Sequence, residues 1–279
     1  MNLFYFCTIF LSGNNAYSDP LIKLSLLRVE STSLQKEMEY VVWTPTAPPP
    51  KGGYPLLVML HGLGDTATNW SRTSVPKTYT KALEEGLAPH IVIIPDGERG
   101  YWVDHMGSNL QYESWVLELI DIVEQQYPIT EDLGFRTIMG LSMGAWGALS
   151  IGLRNPHEFG QMIAMSPTDV FIAAEKTPAS PLYTIPFGDP VHTPFVSSKE
   201  PREWIMRGAG TEQRIALIYG SAEQDKFSKG AERLINTAKA NDIDISVLVV
   251  DHGKHSWKST WQPSSFLWWM RWLSDIQNP

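Results

Sequence analysis

Cysteine is almost missing from this chain of 279 residues: there is one, Cys7, and it lies in an apolar stretch near the amino terminus. A single thiol excludes an intrachain disulfide and a cysteine-ligated zinc site, and removal of the first 18 residues would leave no cysteine nucleophile either. Positive charge is also scarce. With 22 Lys and Arg against 30 Asp and Glu, the net charge is -8. No basic surplus exists to neutralise a phosphate backbone, which excludes nucleic acid as a partner. Long apolar runs and internal repeats are absent too. What remains is oxygen and nitrogen chemistry on a chain long enough to bury one large core.

The apolar run 3–11, followed by Ser12-Gly13 and the small-x-small pattern Ala16-Tyr17-Ser18, has the length of a signal-peptide core and is too short to span a bilayer as a helix. It predicts export, to a secreted or periplasmic location, with 1–18 removed and no stable membrane insertion of the mature chain. No Lys or Arg lies near Met1. An apolar strand or a misassigned start codon, with a cytoplasmic protein, is therefore the alternative. Residues 19–279 read as one α/β domain.

Apolar runs at 54–60, 90–95, 135–141, 161–165, 214–219 and 243–250 alternate with helical patterns at 112–127, 143–155, 227–240 and 263–276. This order predicts a mostly parallel sheet with helices on both faces, preceded by an antiparallel pair at 21–30 and 38–43. The aromatic stripe Phe266, Leu267, Trp269, Met270 and Leu273 reads as core packing, since that helix has no basic face for a membrane surface. Between 168 and 210 periodicity is lost among six prolines, so the segment reads as an irregular lid-like excursion. There Phe187, Phe195 and Trp204 either shape a substrate site or hold the excursion down.

The chain centres on 135–156, where a strand runs into a helix at Gly140-Leu141-Ser142-Met143-Gly144. This is a Gly-x-Ser-x-Gly elbow: glycines two residues either side let the backbone reverse sharply and push the serine hydroxyl out above a helix amino terminus. A serine hydroxyl needs a base to attack a carbonyl, and the base needs an anion behind it. Asp225 and Glu223 both follow one strand and Asp169 follows another; His252 and His255 follow the last. Asp225 is preferred because it stands immediately before a helix. Backbone N–H groups of Met143 and of Leu63, in the turn His61-Gly62-Leu63, are the candidate oxyanion donors. The loop 95–105 comes off a strand's carboxyl end, where open sheets bind ligands, so Tyr101 and Trp102 are candidate substrate contacts, with a structural role equally open for them and for Asp104.

The segments LLVMLHGLGD, PDGERGYWVD, GLSMGAWGAL, Asp225-Lys226-Phe227 and GKHSW together resemble the putative esterase family of α/β-hydrolases, which includes feruloyl and acetylxylan esterases, S-formylglutathione hydrolases and mycolyltransferases. The resemblance implies the α/β-hydrolase fold and a serine carboxylesterase that uses no cofactor or metal. Ser142 would be the nucleophile, His255 the base and Asp225 the acid, acting through an acyl-enzyme on a small-molecule or carbohydrate-linked ester. The turn that carries Asp225 is longer than the family's usual Gly-x-x-Asp, which keeps Glu223 in contention. The cysteine-containing turn of S-formylglutathione hydrolases is absent, which ranks that thioesterase activity below general ester hydrolysis. Acyl transfer to an alcohol and a catalytically silent binding module are the other readings.

Overall fold

A computed structural model of the protein describes residues 7–9 and 19–277. Apart from 7–9, the segment read as a signal peptide lies outside the described residues. The strands are β1 (Cys7–Ile9), β2 (Ile22–Ser31), β3 (Lys36–Pro45), β4 (Leu56–Leu60), β5 (Ile91–Pro95), β6 (Arg136–Leu141), β7 (Gln161–Met165), β8 (Arg214–Gly220) and β9 (Ile245–Val250). They form one sheet in the order β1-β2-β3-β5-β4-β6-β7-β8-β9. β2 and β3 pair antiparallel, β3 meets β5 antiparallel, and every pair from β5 to β9 is parallel.

Parallel pairing explains the apolar runs. A strand covered by helices on both faces must be apolar at every position, not at every second one. In β4, Leu56, Val58 and Leu60 join the core on one side of the sheet while Leu57 and Met59 join the core on the other. The helices α1 (Val75–Glu84), α2 (Tyr112–Glu124) and α3 (Met143–Arg154) alternate with these strands. α2 buries Trp115, Val116, Leu119 and Val123 on the α3 side.

The excursion is more regular than its proline content predicts. It holds four short helices: α4 (Val170–Lys176), α5 (Pro181–Phe187), α6 (Thr193–Lys199) and α7 (Pro201–Met206). Three of its prolines start helices: Pro181 and Pro201 are first residues and Pro194 is a second. Proline is suited to that place, because the first N–H groups of a helix lack intrahelical acceptors and its fixed φ is already helical. Helices of six or seven residues are also too short to display a 3.6-residue period. The chain then closes through α8 (Ser228–Ala240) and α9 (Pro263–Gln277), which packs on α1. In α9 Phe266, Trp269, Met270 and Leu273 are buried, so the aromatic stripe is core. No helix among the described residues is long and apolar enough to cross a membrane.

Buried polar contacts fasten the excursion to α3. Trp146 Nε1 donates to Glu200 Oε2 at 3.1 Å and Ser150 Oγ to Lys199 O at 2.5 Å. Glu113 bridges Arg154 at 2.5 Å and Lys199 at 3.0 Å. Phe187, fully buried, packs against Tyr101 and Trp146, and Trp204 Nε1 donates to Ser198 O. Trp204 also packs against the core, so Phe187 and Trp204 hold the excursion down.

Burial, reinforced by the Asp169 carboxylate, pushes the Glu200 carboxyl up to about 8, against the opposing effect of the Trp146 N–H and of Arg202 and Arg233. The unfolded chain releases that proton near the ordinary value of 4.5, so folding is favoured by retained protonation below it, and this contribution is lost as pH rises through about 8. Glu200→Gln keeps an acceptor for Trp146 and removes the titration. Between pH 4.5 and pH 8 the thermal midpoint of the wild type is expected to fall relative to that of the variant, read by calorimetry; parallel curves would refute it.

Candidate active site

Ser142 has φ 57° and ψ -114°, a region a serine enters only when its surroundings force it. The forcing contacts are visible. Ser142 N–H donates to Met165 O at the end of β7, and the Ser142 carbonyl accepts from Ala145 and Trp146 in the first turn of α3. A Cβ on Gly140 would lie 2.1 Å from Gly144 O, and one on Gly144 would lie 2.3 Å from Leu60 O. Both glycines are thus required by close backbone approach, and the elbow sits between β6, α3 and the end of β4.

His255 Nε2 lies 2.9 Å from Ser142 Oγ across 113 residues of sequence. Phe227 stacks on the imidazole with centroids 3.6 Å apart, and Trp261 meets it edge-on at 4.4 Å. These rings leave the imidazole little freedom to turn.

The acid facing His255 is Glu223, not Asp225. Glu223 Oε2 is 3.5 Å from His255 Nδ1, with the Glu223 side chain fully buried. Neither atom has a hydrogen-bond partner among the described residues, so the contact between them is an approach at ion-pair distance. Glu223 Oε1 accepts from Ser166 Oγ at 2.7 Å, and Ser166 Oγ accepts from Trp261 Nε1 at 2.9 Å. Asp225 instead points outwards, half exposed, 3.2 Å from Lys229 and 3.4 Å from Lys176. Those two ammonium groups, Lys229 first, hold its carboxyl below its ordinary value.

Backbone pairing explains the choice. Ser221 N–H donates to Val250 O and Ala222 N–H to Gly253 O, so the turn after β8 is tied to the loop that carries His255. Glu223 N–H closes back on Gly220 O, which keeps residue 223 at the sheet edge. By residue 225 the chain has left that edge. The other candidates are elsewhere. Asp169 caps α4 and pairs with Arg233, while His252 is nearly fully exposed beside Asp251.

Met143 opens α3, where N–H groups have no intrahelical acceptor. Leu63 follows Gly62, on which a Cβ would lie 3.6 Å from Ser142 Cβ. Both candidate oxyanion residues are thus beside the serine. Tyr101 and Trp102 are not surface contacts: they are 2 % and 0 % exposed. Both have positive φ, which turns Trp102 inwards between Gly97 and Gly147 and Tyr101 against Trp146, Tyr183 and Phe187. They support the site from beneath. Next to the 61–65 turn lies an open cleft of about 450 Å3, lined by Glu37, Glu39, Asp65, Asp96 and Glu98 with Arg99 as its one lining cation.

Sequence reasoning passed over Ser166, Phe227 and Trp261. Ser166 follows a strand at the same carboxyl edge as Ser142, a signal that was available. The two rings carry none, since any apolar residue near a helix start reads as core.

Comparison with known proteins agrees with this architecture. The model of the putative esterase family matches residues 31–266. An acetyl esterase of Caldicellulosiruptor saccharolyticus is 26% identical over 212 residues, covering 72% of this chain and 77% of that protein. A ferulic acid esterase superposes with a TM-score of 0.75 at 21% identity, covering 92% of this chain and 99% of that one. An S-formylglutathione hydrolase of Agrobacterium tumefaciens superposes with a TM-score of 0.74 at 19% identity, covering 93% and 97%. At these identities the two superpositions speak for the fold alone. The family model spans most of the chain and includes the serine elbow, the acid turn and the histidine loop, so the protein belongs to the putative esterase family and is an ester-hydrolysing serine hydrolase of the α/β-hydrolase fold.

Proposed function

We propose that the protein is a carboxylesterase that works through an acyl-enzyme on Ser142, with His255 as general base and Glu223 as the acid. The observation that carries this reading is the 2.9 Å approach of His255 Nε2 to Ser142 Oγ. As Ser142 Oγ attacks the ester carbonyl, Nε2 takes its proton, and Glu223 stabilises the imidazolium through Nδ1–H. The carbonyl oxygen becomes an anion facing the N–H groups of Met143 and Leu63, with the amino terminus of α3 adding a favourable field. Collapse breaks the C–O bond to the alcohol, which takes the proton from Nε2. Water, deprotonated by the same nitrogen, then releases the acid and restores Ser142.

The relative named as an acetyl esterase supports a short acyl group. Arg28 pairs with Glu37 and Glu39, and Lys36 with Glu98, but the acids around the cleft still outnumber the cations. In the proposed binding mode the ester extends from Ser142 towards this cleft, whose acidic surplus disfavours a substrate bearing carboxylates, such as S-formylglutathione. p-Nitrophenyl acetate should be turned over with a higher kcat/KM than S-formylglutathione, and the reverse order would exclude this assignment of substrate class.

Ser142→Ala is expected to lower p-nitrophenyl acetate turnover on the order of 10^6-fold and to abolish labelling by a fluorophosphonate. Retained turnover would end the proposal. Glu223→Gln should lower kcat roughly 10^2- to 10^4-fold, whereas Asp225→Asn, which disturbs only exposed ion pairs, should stay within about twofold. Steady-state kinetics on the two variants decides between the acids.

A further inference from the structure

We propose that His61 is a positioning residue for ester hydrolysis: its Nδ1–H holds the Gly62 carbonyl so that the N–H of the same peptide, that of Leu63, faces the oxyanion. The proposal rests on the reading of Leu63 as an oxyanion donor. His61 does not touch the reacting atoms in that reading; it acts through the backbone.

His61 follows the last residue of β4 and is fully buried. A buried imidazole needs a partner at each nitrogen, and here both partners have fixed roles. Nδ1 lies 2.8 Å from Gly62 O, which can only accept, so Nδ1 carries the proton. Nε2 lies 2.9 Å from the Gly97 N–H, which can only donate, so Nε2 carries the lone pair. Asp96 Oδ1, at 3.7 Å from Nε2, is beyond hydrogen-bond reach. One tautomer satisfies the whole arrangement. Trp102 steadies it, with Nε1 donating to His61 O at 3.2 Å and the two rings in a T-shaped contact, centroids 5.0 Å apart.

The Gly62 carbonyl also accepts from the Asp65 N–H at 3.1 Å. Among the described residues the only cis bond is Asp189-Pro190, so the Gly62-Leu63 peptide is trans and its C=O and N–H point in opposite directions. The buried imidazole and the Asp65 N–H fix the direction of the carbonyl and turn the Leu63 N–H the other way, at a turn whose Gly62 lies against Ser142. A half-rotation of this peptide would present a carbonyl to the developing negative charge instead. The clamp on Gly62 O opposes that rotation, and His61 gives it a direction set from β4 and the loop after β5 together.

Two near-isosteres separate the two hydrogen bonds. In His61→Asn the amide N–H replaces Nδ1 and keeps the Gly62 contact; in His61→Gln the amide reaches the place of Nε2 and keeps the Gly97 contact. With p-nitrophenyl acetate, kcat should fall roughly 10- to 100-fold in His61→Gln and stay within about threefold in His61→Asn, with KM little changed in both. Thermal midpoints should drop by similar amounts, because each variant loses one buried bond. A purely structural role would instead make kcat follow the midpoints. Equal kcat in the two variants, or a His61→Asn kcat below one tenth of wild type, overturns the proposal. If His61→Gln does not fold, His61→Asn decides alone by that threshold. If neither folds, Trp102→Phe decides: it removes the donor to His61 O and should lower kcat a few-fold at constant KM, and an unchanged kcat overturns the proposal. Wild-type protein without ester turnover would instead sink the carboxylesterase reading itself, so the two failures are distinguishable.

Discussion

The backbone of Ser142 is the constraint on which the site depends. Holding a serine at φ 57° and ψ -114° costs about 1–3 kcal/mol, which the packing of β6, α3 and the end of β4 offsets. The two glycines are where that packing is tightest, because each lets one backbone segment touch another with no side chain between. Relaxation of the elbow would move the hydroxyl away from His255 Nε2 and the Met143 N–H away from the oxyanion position together. Geometry at one residue thus sets the proposed nucleophile, its contact with the proposed base and one proposed oxyanion donor at once.

The acid side of the site is built differently, by burial and hydrogen bonding. Glu223 is shut away from solvent, with Oε1 committed to Ser166 and Oε2 directed to His255. Ser166 in turn accepts from Trp261, which also borders the imidazole, so one indole restrains both the partner of Glu223 and the ring of His255. Among the described residues its one charge partner is the histidine, which suits Glu223 to favour an imidazolium as one forms. Asp225 illustrates the opposite case. Two residues further on, its charge is already met by Lys229 and Lys176 at the surface.

The helical excursion and the 95–105 loop form the support beneath. Tyr101 and Trp102 lie between the elbow helix, the turn at His61 and the excursion, so aromatic surface that looks like a pocket lining in sequence is buried as a wedge. Polar groups beneath the same helix, Glu113 with Arg154 and Lys199 and Glu200 with Trp146, give the packing its register.

Much was legible without coordinates because parallel strands buried on both faces must be apolar throughout, and because a strand-to-helix reversal at a serine demands glycine at two fixed places. Those patterns mark the sheet, its order of chemistry along the chain, and the turns where Ser142, Leu63 and His255 stand. The choice of Glu223 over Asp225 was not legible: both are acids after the same strand, and what separates them is a pair of backbone hydrogen bonds to residues about 30 positions away. The inward turn of Tyr101 and Trp102 was hidden likewise, since aromatic side chains suit a pocket and a core equally. Local composition and spacing thus determined which segments become strands, helices and reactive turns, because those follow from each residue's own sterics and polarity. Which side chain faces which was decided only by tertiary structure, because it depends on contacts between segments that the chain order does not record.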